Sequence, residues 1–357
     1  MKMPDPAGGS RGLIRLWIAC LAALVFAMVV VGGATRLTQS GLSIVEWKPV
    51  TGVVPPLSQS EWQAEFDKYK TIPQYQQLNR GMSLDEFKSI FWWEWSHRLL
   101  GRALGAVFLL PFLFFLWRGL IDRKLAGALL GIFALGAFQG AVGWWMVSSG
   151  LTERVVVSQY RLAFHLTLAC VIYAALVVTA DRYGARAPDT PVPRRIGITA
   201  AGLAVLVIAQ IYLGALVAGL HAGLIYNTWP LIDGALVPPG LLFGEPAWRN
   251  FFENTLTVQF DHRMLAYGLV VVALFHVVDV WRNVEGRALR IGAAALAAVV
   301  CVQAALGIVT LLAVAPLALA MLHQAMALVV LTVATLYASH AVALPAPSPA
   351  RQLASGY

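Results

Sequence analysis

Trp93-Glu94-Trp95-Ser96-His97-Arg98 stands at the head of a long apolar run, and a variant of it, Val258-Gln259-Phe260-Asp261-His262-Arg263, heads another. Each His-Arg pair opens a segment able to cross a membrane. About 60 to 70 residues after each comes a further histidine near the start of another apolar run: His165 after His97, and His323 after His262. Two matched pairs of histidines, all on apolar runs, set the architecture to be explained.

Working outward, the whole chain has the composition of a membrane protein. Of its 357 residues 59% are hydrophobic and only 12% charged, with a mean hydropathy of +0.70. About 20 apolar residues at ~1.5 Å rise cross a bilayer core. Eight such runs occur, at roughly 13–34, 92–117, 125–147, 158–180, 196–219, 257–281, 288–314 and 317–341. The net charge of +8 does not point to nucleic acid, because of where the basic residues fall. Lys2, Arg11, Arg15, Arg118, Arg123, Lys124, Arg182, Arg186, Arg194, Arg195, Arg282, Arg287, Arg290 and Arg351 all belong to the two ends and the even-numbered connections. That positive-inside bias puts both termini in the cytoplasm, and a bacterial inner membrane is the simplest location. The first span follows Arg11 and Arg15 as a signal sequence would, but it is too long and lacks a small-residue cleavage site. Cys20, Cys170 and Cys301 fall inside spans, so neither a disulfide framework nor a thiolate metal site is expected.

The long connection at 37–91 should carry a surface helix from Ser60 to Lys70, with Ser60 as its cap and Trp62, Phe66 and Tyr69 on one side. Ser83-Leu84-Asp85-Glu86 is a capping box that starts a helix running into the second span. Trp92, Trp93 and Trp95 fit an interfacial aromatic belt, which sets Glu94 and His97 just below the outer surface. The first helix is expected to end at Gly32-Gly33-Ala34-Thr35-Arg36.

The second half repeats the first. Gly41-Leu42 through Trp47 and Gly52 matches Gly223-Leu224 through Trp229 and Gly234 at a constant offset of 182 residues, and Gln139 through Gly143 matches Gln303 through Gly307. An even number of spans per half makes the repeat parallel, about an axis along the membrane normal. The expected fold is therefore an all-α integral membrane protein of eight transmembrane helices in two parallel-repeat four-helix bundles. Residues 1–185 form one half and 186–357 the other, with the boundary in the Pro-, Arg- and Ala-rich stretch Asp181–Arg195.

A lone intramembrane histidine is most often an interhelical hydrogen-bonding residue. Four at matched depth, roughly 8–12 Å below the outer surface by helical rise, suit a different task. Two imidazoles on two helices of a bundle can face opposite sides of one metalloporphyrin. Gly101, Gly105 and Gly268 would let a flat macrocycle approach the backbone, and Arg98, Arg102, Arg161 and Arg263 are candidate partners for its propionates. His276 and His340 have no histidine counterparts in the first half and read as packing residues, while His221 sits opposite Gln39 in the repeat. Glu94, one turn before His97 on the same face, becomes Gln259 in the second half. A desolvated carboxyl there can trade protons with a bound molecule, so the first half is expected to do chemistry and the second to hold a redox partner.

These residues carry a family resemblance. Glu94-Trp95-Ser96-His97-Arg98, Tyr69-Lys70, Pro73-Gln74-Tyr75, Asn79, Met82, Glu86-Phe87-Lys88, Ile90-Phe91 and the Gln259-Phe260-Asp261-His262-Arg263 echo resemble the heme A synthase family, most closely its proteobacterial and mitochondrial branch. The likeness runs from the first span to the eighth. It implies an oxidoreductase that converts a ring methyl of heme O to the formyl group of heme A, needed by terminal oxidases of the aa3 type. It further implies that His262 and His323 are axial ligands of a heme b cofactor, and that His97, His165 and Arg98 line the heme O site with Glu94 as catalytic residue. The implied partners are a heme O synthase (a protoheme farnesyltransferase), an electron-transfer partner and membrane lipid, with a homo-oligomer left open. The outer-loop cysteine pair of some bacterial members is missing, so no thiol step carries over. The alternatives are a di-heme electron carrier and a heme transporter or chaperone, and the Glu94/Gln259 asymmetry favours catalysis over both.

Overall fold

The structure, a computed structural model, describes residues 6–152, 154–183 and 192–342. Its helices are α1 (Pro6–Leu37), α2 (Gln59–Tyr69), α3 (Pro73–Gln77), α4 (Leu84–Trp117), α5 (Arg123–Ser148), α6 (Gln159–Arg182), α7 (Arg194–Gly219), α8 (Asn250–Glu253), α9 (Thr255–Asn283), α10 (Arg287–Leu312) and α11 (Leu317–Ala341). Among the described residues there is no β-strand beyond one isolated bridge, Ile232 to Ala235. Eight of the helices, α1, α4–α7 and α9–α11, are long and apolar enough to span a bilayer. The protein is thus an all-α, multi-pass membrane protein. The boundary at 185/186, and Lys2, Arg186 and Arg351, lie outside the described residues.

Helix α1 packs on α4 and α6, and α5 packs on α6. Helix α7 packs on α9 and α11, and α10 on α9 and α11. The two groups meet where α1, α6, α7 and α11 come together, around Leu176, Leu203, Leu328 and Leu331. Helices packed in a membrane gain little from hydrophobicity alone, so interhelical hydrogen bonds and close backbone approach matter more. Trp17 shows the first: Pro111 inside α4 has no N–H for the Val107 carbonyl one turn back, and the Trp17 indole on α1 donates to that carbonyl at 2.9 Å. Gly33 shows the second, since a Cβ there would collide with Gln324 of α11, whose amide reaches Val29 O at 2.7 Å.

Two boundaries differ from the sequence reading. α1 continues through Gly32-Gly33 to Leu37, because those glycines admit His97 and Gln324 rather than end the helix. The cap of α2 is Ser58, not Ser60: Ser58 and Glu61 make a reciprocal capping box, with Glu61 three residues on. The Ser83–Glu86 box forms as expected, and α4 starts there. α2 and α3 cover the projecting start of α4, with Phe66, Tyr69, Phe87 and Phe91 buried between them. Trp92 and Trp93 are exposed, but Trp95 packs into this cluster instead of joining a belt. Of the cysteines, Cys170 is buried and Cys20 and Cys301 lie on outward helix faces.

Candidate functional site

The first four spanning helices, with the end of α7 and Gln324 of α11, line a cavity of about 520 Å³, within the usual ~300–1,000 Å³ of small-molecule sites. His97 on α4 and His165 on α6 both line it, within electrostatic reach of one another. Arg98 and Arg102, Glu94, Arg36 and Gln139 also line it, below a rim of Gln39, Gln74 and His221. Val25, Val29, Leu104, Leu166 and Ile172 make the deeper wall apolar. The sequence candidates Glu94, His97, Arg98, Arg102 and His165 are therefore gathered at one place. Arg161 is elsewhere: it bonds the Trp145 carbonyl at 2.5 Å and the Ser148 hydroxyl at 3.2 Å, and it does not line the cavity.

Each of the four paired histidines meets a glycine on a neighbouring helix. A Cβ would stand 2.8 Å from His97 Cε1 at Gly32, 3.0 Å from His165 at Gly143, 3.1 Å from His262 at Gly214 and 2.9 Å from His323 at Gly307. Only glycine lets the imidazole lie that close to the helix backbone. Three of these glycines follow a glutamine by one turn, and its amide donates to the histidine's own carbonyl: Gln139 to His165 (2.9 Å), Gln210 to His262 (2.9 Å) and Gln303 to His323 (3.0 Å). Met28 takes that place beside Gly32, so His97 alone lacks such an anchor. The sequence reading singled out other glycines: a Cβ at Gly105 or Gly268 would meet nothing, and one at Gly101 only Met28.

The Nδ1 atoms of His97, His165 and His323 are buried without a hydrogen-bond partner, and His262 and His323 lie within electrostatic reach of each other. A buried ring nitrogen with no protein partner is open to a group that the chain itself does not supply. With the imidazoles of each pair buried, close to one another and seated against glycine, both pairs fit bis-imidazole ligation of a heme. His276 is buried and bonds Tyr337 at 2.7 Å, and His340 pairs with Asp181 at 3.0 Å. Neither lines the cavity.

Glu94 is only 3% exposed and fully engaged. One oxygen accepts from the Ser43 hydroxyl and the Ile44 N–H, both at 2.8 Å; the other accepts from Arg98 Nη2 at 2.6 Å and Nε at 3.1 Å. Arg98 also donates to the Ile44 and Glu46 carbonyls, so most of its hydrogens are spent, on Glu94 and on the 38–83 connection. The second group mirrors this: Arg263 donates to Tyr226 O, Thr228 O and Gln259 Oε1, while Gln259 donates to Ala222 O. Arg263 is buried behind that loop with its Nε unpaired. Both His-Arg arginines are thus loop clamps. Arg102 keeps Nη1 free while bonding Pro49 O and Lys48 O. Arg36 lies on the cavity wall, and its guanidinium makes no hydrogen bond or ion pair among the described residues. Sequence reading passed over Arg36 as the end of a helix; its signal was a cation one turn beyond Gly32-Gly33, toward the outer loops from the histidines.

The rim explains other residues of the resemblance. Tyr69 donates to Gln74 Oε1 at 3.0 Å and accepts from Asn79 at 2.7 Å, and Gln74 donates to the Gln39 carbonyl at 3.1 Å. Gln39 and His221 share a left-handed backbone, φ 55° and 54°, at the 182-residue offset. Burial, and then the positive charge of Arg36, hold the His221 imidazole below its ordinary pKa. Near the rim, hydrogen bonds from Lys48 and Lys68 hold the Glu46 carboxyl below its ordinary value.

Residues 15–335 match the COX15-CtaA family of cytochrome oxidase assembly proteins. The chain belongs to this family. It is 60% identical over 331 residues to the heme A synthase of Rhodopseudomonas palustris (strain TIE-1), covering 92% of this chain and 89% of that protein. It is 59% identical over 327 residues to the heme A synthase of Bradyrhizobium sp. (strain BTAi1 / ATCC BAA-1182), covering 91% and 90%.

Proposed function

We propose that this chain is the membrane oxidoreductase that converts a methyl group of heme O to the formyl group of heme A, for the assembly of terminal oxidases. The observation that carries the reading is the cavity holding His97, His165 and Glu94 in a chain about 60% identical to heme A synthases along nine-tenths of its length. Residues up to 185 form the substrate half, and those from 186 the cofactor half, of a parallel repeat. Both termini are cytoplasmic, in a bacterial inner membrane.

His97 and His165 hold the iron of heme O from its two faces, with the macrocycle standing between α4 and α6. Arg36 and Arg102 receive the propionates, since their donors are free where those of Arg98 are not. The apolar wall takes the rest of the ring and excludes water. The methyl group is hydroxylated twice, each round a two-electron oxidation in which water supplies the hydroxyl, two protons are released and the electrons leave to the membrane electron-transfer partner. The resulting gem-diol loses water to give the aldehyde. Glu94 acts from the rim. Its paired carboxylate fixes Arg98 and the 38–83 connection over the site, and it holds a negative charge where positive charge develops at the methyl carbon. To take up a proton it must first release one of its four donors. A heme b held by His262 and His323 supplies one-electron redox capacity when bound, its potential set by two imidazoles and burial. The partners are a heme O synthase that delivers substrate and a membrane electron-transfer protein.

Co-expression of the chain with a heme O synthase, followed by pigment extraction, tests the reading. New heme A is expected. Heme O left unchanged in cells that contain the folded, heme b-loaded protein removes it.

A further inference from the structure

The cavity wall is not closed on all sides. On α5 the deeper residues facing it are Gly136, Gln139, Gly140 and Gly143, with Trp144, Met146 and Val147 following toward the loop end, and on α4 they include Gly101 and Leu104. Gly136 and Gly140 line the cavity and are both solvent-accessible, not covered by a neighbouring helix. A Cβ at either would meet nothing within 4 Å. α4 and α5 are also the most loosely packed of the adjacent spanning pairs. The second group of helices gives the comparison. Its corresponding pair, α9 and α10, packs closely. Counting from Gln139 and Gln303, Val300 stands for Gly136 and is buried, and Ala304 stands for Gly140 and is half-buried. One histidine pair thus lies behind a closed seam and the other behind an open one.

The seam lies at membrane depth. Gly140 and Gly136 are about 4.5 and 10 Å deeper along α5 than Gly143, the residue against His165. A ligand that crosses there comes from lipid, not from water. Heme O suits such a route: it is flat, apolar over most of its edge, and carries a farnesyl tail that partitions into acyl chains. Its two propionates would lead toward Arg36 and Arg102 near the loop side.

We propose that heme O enters, and heme A leaves, sideways through the glycine-lined seam between α4 and α5, directly from the bilayer. The proposal rests on the enzymatic reading above. It also accounts for the two fates of heme in one chain, because the open seam makes the first site exchangeable and the closed one makes the second permanent.

The test is the exchange of heme O between donor vesicles and the heme b-loaded protein in nanodiscs, followed by the Soret band. Gly136→Phe and Gly140→Phe should each slow both uptake and release at least tenfold, with their ratio and the heme b spectrum kept. Gly131→Phe, on an outward glycine of α5 that does not line the cavity, should exchange as wild type does. The heme b spectrum reports that the variants are folded. As a second route, Gly140→Cys in a Cys20→Ser, Cys301→Ser chain can be blocked with a benzyl thiosulfonate and reopened by reduction; exchange should stop and resume. Unaltered rates in both bulky variants overturn the portal. So does weakened binding with unchanged release, which means that the side chain fills the cavity instead of closing a passage. A wild-type protein that takes up no heme O refutes the enzymatic reading, and the portal with it.

Discussion

Replacing Gly307 with alanine sets two effects against each other. Alanine is the better helix former by about 1 kcal/mol, so α10 itself should gain. The new Cβ, however, would stand 2.9 Å from His323 Cε1, where carbon atoms prefer about 3.5–4.0 Å. α10 and α11 are tightly packed, so the imidazole must give way by roughly 0.6 Å, beyond the ~0.5 Å tolerance of a well-held site. Disturbing the support of a metal ligand typically costs about 10–100-fold in metal affinity. Gly307→Ala should therefore yield a chain that melts no lower without heme yet retains heme b 10–100-fold more weakly, with a diminished low-spin spectrum. Gly214→Ala, at 3.1 Å from His262, should act in the same direction but less. Gly131→Ala, with open space around it, should change neither property. Heme per chain after dilution, read with the pyridine hemochrome, measures the effect. Full heme retention in Gly307→Ala would refute the claim that these glycines seat the imidazoles.

Other outcomes follow from the same geometry. His262→Ala or His323→Ala should abolish the low-spin b-type spectrum, whereas His276→Ala and His340→Ala should leave it intact; absorption and paramagnetic resonance spectra of the purified proteins decide. Glu94→Gln should keep heme b but leave heme O and its alcohol in place of heme A, a loss on the order of 10²–10⁴-fold if the carboxylate assists proton transfer; chromatography and mass analysis of the pigments would show near-normal heme A if it does not. Arg36→Ala should weaken heme O binding by roughly 10–150-fold, equivalent to the ~1.5–3 kcal/mol of a hydrogen bond to a charged group. Arg161→Ala should not alter that affinity in the same titration.

What could be read in the sequence was set within single segments. Eight spans, the Ser83–Glu86 cap and the two His-Arg pairs follow from length, hydropathy and spacing, because a transmembrane helix satisfies its own backbone and needs no partner to be legible. What escaped depends on pairs of helices. Gly32, Gly143, Gly214 and Gly307 look like any helical glycines until α4, α6, α9 and α11 bring an imidazole against each. Gly105 and Gly268 stand below histidines of their own helices, but residues that contact an imidazole belong to the helix it faces. The engagement of the charges likewise depends on contacts between segments. Arg98 precedes an apolar run, as a propionate partner would, yet its donors are taken by Glu94 and by carbonyls some fifty residues earlier.

That last contact changes what the Glu94/Gln259 difference means. Both residues accept a hydrogen bond from the arginine four positions on, so the clamp on the loop does not require a carboxylate. Gln259 needs an acceptor for its amide and finds one in the Ala222 carbonyl. Glu94 meets instead the Ile44 N–H, which suits only an acceptor, and the Ser43 hydroxyl, which donates to it. The first loop is therefore folded around a side chain that accepts at both oxygens, and Glu94→Gln would set an amide N–H against the Ile44 N–H, at a cost of about 1–3 kcal/mol for the unmet donor. The fold does not need that charge for its clamp, and it stands beside the cavity of the first group and is absent from the second, which is the placement the proposed role of Glu94 in the chemistry at that cavity requires. The variant that separates the two contributions is Glu94→Gln assayed with heme b content as the measure of folding and heme A as the measure of reaction.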